Sequence, residues 1–131
     1  MKGMLRNAFR LFCFMLALAP AGASHALELV FFSRPGCVYC ARFERDVAPI
    51  YLKSDEGKRA PLRQWDLSNG DSGDKLAYPV RYTPTFVLVE KGAEIGRITG
   101  FINDDMFWGL LGKMLKDLPP ETGITPARTE E

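Results

Sequence analysis

Histidine is almost absent from this 131-residue chain, which carries one, His25, and three cysteines. That scarcity removes whole classes of chemistry. A closed zinc site takes four ligands, and two neighbouring cysteines with no histidine after residue 25 do not supply them. Covalent haem attachment wants a histidine directly after the second cysteine of a CxxC pair, and Ala41 stands there. No GxGxxG follows an apolar strand, so there is no nicotinamide or flavin fingerprint. No cofactor and no resident metal are expected. A surplus of positive charge is also missing: 17 Lys and Arg face 16 Asp and Glu, and without a basic patch nucleic acid is not an expected partner. There are no internal repeats and no sign of a second domain.

Long hydrophobic runs are lacking too. The apolar stretch at residues 11–19 (LFCFMLALA) is short of the ~20 residues that span a bilayer. It follows a basic segment with Lys2, Arg6 and Arg10 and precedes small residues ending in Ser24-His25-Ala26. This three-part layout predicts a cleavable secretory signal over residues 1–26 and hence export. Cleavage after Ala26 discards Cys13 and His25, leaves 105 residues, and turns a formal charge of +1 into −2. The remainder is one small domain with a single core.

What remains of the cysteines is Cys37-Val38-Tyr39-Cys40. The pair follows an apolar run, Leu29-Val30-Phe31-Phe32, and a turn, Ser33-Arg34-Pro35-Gly36. Residues 41–53 read as helix. Two thiols at the opening of a helix meet unpaired N–H groups and a partial positive charge, both of which favour the reactive thiolate. One thiol can then attack a disulfide and the other can resolve the mixed intermediate. A pair this closely spaced is a weak structural staple, because the loop that it closes is tiny. The spacing therefore points to a redox disulfide, Cys37–Cys40. Transient Cu(I) binding by the two thiolates is the alternative from a different class.

Along the rest of the chain, residues 28–33 read as a buried parallel strand. Cys40, Phe43 and Val47 line one helix face until Pro49 kinks or ends it. Residues 53–60 read as a solvated connection around Gly57, and residues 61–67 as a second strand. Turn residues at 68–73 precede a short helix over 74–78 capped by Asp74. Residues 85–90 and 94–99 form a hairpin about Lys91-Gly92-Ala93. A last helix, capped by Asn103 or Asp104, puts Phe107, Leu110, Leu111, Met114, Leu115 and Leu118 on one face, with Met106 and Met114 as core filler. Residues 119–131 read as a disordered tail. The order is βαβαββα, an α/β fold with a mixed four-stranded sheet and helices on both faces, spanning residues 27–118.

This order resembles the thioredoxin superfamily through two motifs: the CxxC opening a helix, and Val80-Arg81-Tyr82-Thr83-Pro84-Thr85 before an apolar strand. The resemblance implies a thioredoxin-like fold and a cis Thr83–Pro84 bond beside the cysteines. The Thr83 backbone would then meet an extended substrate by strand addition. Cys37, nearer the helix start, is expected to attack and Cys40, one turn in, to resolve; Arg34 either supports the Cys37 thiolate or is a solvated surface arginine, and Tyr39 either lines a substrate groove or covers the helix. The chain departs from thioredoxins proper: Gly36 precedes the pair, Val-Tyr lies within it, and Phe31 occupies the place of a buried aspartate. The string from Phe32 to Cys40 is closer to glutaredoxins, whose glutathione site would continue near Gly100 and Asp104-Asp105. Among exported relatives the resemblance is to the periplasmic thioredoxins of bacterial sulfur-oxidation clusters. It implies a monomer that reduces a disulfide-containing periplasmic protein, such as a sulfur carrier, with electrons from a membrane thiol–disulfide donor. A Cu(I) carrier and a glutaredoxin-like or oxidising exchange protein stand as alternatives.

Overall fold

The structure is a computed structural model that describes residues 27–119. The expected signal segment and the expected tail beyond Pro119 lie outside the described residues. Within them the order is β1 (Leu27–Ser33), α1 (Val38–Asp46), α2 (Ala48–Tyr51), α3 (Asp55–Arg59), β2 (Leu62–Asp66), a 3-10 turn (Leu67–Asn69), β3 (Thr85–Glu90), β4 (Ala93–Thr99) and α4 (Asp104–Lys116). The strands form one mixed sheet in the order β2-β1-β3-β4. β1 runs parallel to β2 and antiparallel to β3, and β4 closes the hairpin.

β1 is internal and buried on both faces, which is why it reads as a continuous apolar run. Its alternate residues feed two cores. Leu27, Leu29 and Phe31 join Phe86, Leu88 and Ile98 against Phe43, Val47, Tyr51, Phe107, Leu111 and Leu115 of the helical layer. Val30 and Phe32 join Val87 and Val89 on the opposite face. Phe43 is the hub of the first core, with ring centroids 4.6–5.7 Å from those of Phe31, Phe86, Phe101 and Phe107.

The mixed four-stranded sheet is as expected, but one expected helix is missing. No helix forms over 74–78; the second face is covered by the 3-10 turn and an irregular segment, through Leu67, Leu76 and Val80, beside Trp65 of β2. Asp74 does not cap a helix because Arg63 of β2 claims it, with Nη2 donating to both carboxylate oxygens at 2.8 and 2.9 Å. The next residue, Lys75, bridges to Ala93 at the start of β4. Among the described residues the α-helices pack against the first core, and the 3-10 turn lies over the second. The connection at 53–60 is also more ordered than expected. Ser54 caps α3 by accepting the Gly57 N–H at 3.0 Å. Pro49 does end the first axis: α1 stops at Asp46, and the proline sits in the first turn of α2, where its missing N–H costs nothing. On α4, capped by Asn103, Leu110 and Met106 are exposed rather than core.

Candidate redox site

β1 delivers the chain to the turn at residues 34–37, where Gly36 adopts a φ of 77° that side-chain-bearing residues seldom reach. The Cys37 N–H donates to the Arg34 carbonyl at 3.2 Å, closing the turn. Cys37 then serves as the N-cap of α1: its sulfur accepts the Cys40 N–H at 3.2 Å. The two cysteines are joined in a disulfide, with Cα atoms 5.2 Å apart. Cys37 is half-buried, whereas Cys40, one turn in, is 3% exposed and packs into the helical-layer core. On reduction, a sulfur at the cap position faces a backbone donor and the positive end of the helix, which stabilises its anion.

The β1–β3 register pairs Phe32 with Thr85, so Thr83 and Pro84 lie at the same end of the sheet as the cysteines. The Thr83–Pro84 bond is cis. Pro84 is buried and its carbonyl accepts the Gly100 N–H at 2.7 Å, while Asp104 and Asp105 lie in the first turn of α4. Among the described residues no backbone hydrogen bond engages the N–H or C=O of Thr83. Val38, Tyr39 and Tyr82 are exposed apolar surface in these two segments.

On the other side of the cysteines lies an open cleft of about 450 Å³. It brings Arg34 together with Cys37 and Cys40, but not Tyr39, which faces outward on the first turn of α1. Ser33, at the end of β1, also lines it, with three residues that the motifs did not single out: Glu44, Gln64 and Asp66. Glu44 lies four residues after Cys40, a spacing that places both on one helix face and was readable in advance. Gln64 comes from β2 and is brought in by register alone. Asp66 completes the wall; the Ser68 hydroxyl and N–H, together with the charge of Arg34, hold its carboxyl below the ordinary range. Phe31, in the place of the family's aspartate, is buried against Phe43 and Phe86 and offers no proton acceptor.

The model of the thioredoxin-like domain family matches residues 14–115. The chain belongs to that family. The periplasmic thioredoxin SoxS from Paracoccus pantotrophus, solved in its reduced form, is 41% identical to this thioredoxin-like chain, covering 69% of it and 96% of the SoxS chain with a TM-score of 0.66. A thioredoxin-fold protein from Helicobacter pylori is 25% identical over 75% of this chain and 77% of its own, with a TM-score of 0.54. A mutant thioredoxin from Halobacterium salinarum, 23% identical over 72% and 80% of the two chains with a TM-score of 0.53, shares the fold. No curated protein matches the sequence. Family membership and the CxxC disulfide make this thioredoxin-like protein a thiol–disulfide oxidoreductase, a class that acts on disulfide-containing protein substrates.

Proposed function

We propose that the chain works in the periplasm as a reductant or carrier of thiol pairs, with Cys37 as the attacking sulfur and Cys40 as the resolving one. The observation that carries the assignment is the asymmetry of the pair: Cys37 is accessible at the helix cap and Cys40 is sealed beneath it. Cys37 sulfur attacks one sulfur of the substrate disulfide and releases the other as a thiolate. Cys40 thiolate then attacks the Cys37 sulfur, forming the Cys37–Cys40 disulfide and releasing the second substrate thiol. The unengaged backbone of Thr83, beside buried Pro84, supplies an N–H and a C=O for a substrate strand. Arg34 adds positive charge on the cleft side, and Tyr39 adds apolar contact.

Residues 1–26 are the proposed export signal, residues 27–118 the working domain and residues 119–131 a tail; the likeness to a periplasmic thioredoxin supports export. An oxidising compartment requires that the protein be re-reduced. With no nucleotide motif of its own, it takes electrons from a membrane thiol–disulfide donor. Its target is a disulfide-bearing periplasmic protein, a sulfur carrier being the chemistry suggested by the sulfur-oxidation relatives. The reduced protein acts as a monomer. Cys37→Ser should abolish reduction of insulin disulfides, and Cys40→Ser should accumulate a covalent mixed disulfide whose partner mass spectrometry identifies. Full turnover by the Cys37→Ser variant would overturn the assignment.

A further inference from the structure

Resolution requires that Cys40 lose a proton, and its surroundings supply no obvious acceptor. Beneath it the core is aromatic, with Phe31 and Phe43 both buried. The cleft is the way out. The ionisable groups that line it besides the two cysteines are Arg34 from the turn, Glu44 from α1 and Asp66 from β2. Arg34 is a cation and takes no proton. Asp66 is engaged: one of its carboxylate oxygens accepts both the N–H of Ser68 at 2.8 Å and its hydroxyl at 2.6 Å. Those bonds stabilise its anion and make it a poor base.

Glu44 is differently placed. One helical turn from Cys40, it accepts a hydrogen bond from the Gln64 amide at 2.6 Å. The same amide nitrogen donates to the hydroxyl of Ser33 at 3.2 Å. Ser33 is 6% exposed and ends β1 directly before the active-site turn. Gln64 thus ties the carboxylate across the cleft, between the buried end of β1 and the helix that carries Cys40. We infer that Glu44 is the proton acceptor for Cys40 in the resolution step, held over the cleft by Gln64 as a positioning residue.

The inference rests on the roles proposed above for the two cysteines. As Cys40 attacks the Cys37 sulfur of the mixed disulfide, its thiol proton passes along the cleft to the Glu44 carboxylate. The sulfur–sulfur bond to substrate breaks, its electron pair leaves with the substrate thiolate, and the Cys37–Cys40 bond forms. Glu44 then returns the proton to solvent. No oxidant or reductant beyond the substrate disulfide is needed.

The test is a single-turnover reaction of the reduced protein with oxidised glutathione as probe, acid-quenched and read by mass spectrometry. Attack by Cys37 creates the protein–glutathione mixed disulfide, and resolution removes it. Glu44→Gln should leave the first rate unchanged and lengthen the lifetime of the mixed disulfide about tenfold at pH 7. That lies below the ~100-fold of a sequestered general base because solvent reaches the cleft. The difference should narrow as pH rises and solvent hydroxide takes over the part of the base. Glu44→Asp should recover part of the loss, and Asp66→Asn should leave the pH profile unchanged. A Glu44→Gln profile that overlays the parent protein overturns the inference, as does a shift carried by Asp66→Asn instead. A Cys40→Ser variant that builds up no protein–glutathione mixed disulfide would overturn the cysteine roles instead.

Discussion

Glu94 and Arg97 are three residues apart on β4, and each side chain is 7% exposed. Arg97 donates to Glu94 through Nε and Nη2, both at 2.8 Å. The pair reaches beyond its own strand. Glu94 accepts the Ala77 N–H at 2.8 Å, while Arg97 donates to the Tyr78 carbonyl at 2.7 Å and lies 3.9 Å from the Tyr78 ring centroid. It therefore pins the irregular segment that replaces the expected helix and leads toward Thr83 and Pro84. The Arg97 hydrogen bonds, opposed by burial and aided by the Ala77 N–H, hold the Glu94 carboxyl below its ordinary value of 4.5. A carboxyl depressed in the folded state stabilises it fully above the unfolded value, and that contribution is lost as pH falls through the folded one. Acidification below pH 4.5 should loosen residues 76–80, seen as faster amide exchange there. Glu94→Gln should abolish that acid transition and cost about 2 kcal/mol in urea unfolding, the scale of a charged hydrogen bond. Unchanged exchange at residues 76–80 in that variant would show that the pair does not hold the segment.

Among the elements, the short helix α3 best separates what was legible from what was not. Its cap was written in the sequence: Ser54, then Asp55 and Glu56 in the first turn and Lys58 and Arg59 in the last, each charge matched to the helix dipole. Gly57 hid it, because glycine inside a polar run reads as a loop. The structure gives that glycine a tertiary reason: a Cβ built there would lie 1.9 Å from the carbonyl oxygen of Tyr51. Gly57→Ala should therefore cost about 2 kcal/mol by overpacking, measured by urea denaturation. A neutral result would mean that α3 moves freely against α2. The helix expected at Asp74 failed for the opposite reason, since its capping carboxylate is taken by Arg63 on another strand. The CxxC turn, the hairpin and α4 were readable because local pattern and tertiary fold agree there. Cleft residues from β2 were not, because a parallel register does not appear in local sequence.

At the scale of the whole molecule, stability and redox direction are one quantity. Folded and unfolded, oxidised and reduced forms close a thermodynamic cycle. If the oxidised protein is the more stable one, its disulfide is harder to reduce than that of the unfolded chain, by about 30 mV for each 1.4 kcal/mol. The site gives reasons on both sides. The cap position and the Cys40 N–H favour a Cys37 thiolate and so the reduced form. Against this, Cys40 is sealed in an aromatic core that disfavours its charge, and no histidine follows residue 40 to add to the stabilisation of the Cys37 anion. The reductant reading requires the second effect to win. The mature protein should then unfold at a higher urea concentration when oxidised than when reduced, by a margin that matches its potential measured against a glutathione buffer. A reduced form more stable than the oxidised one would place the protein among the disulfide donors, with the same cysteines and the opposite direction of electron flow.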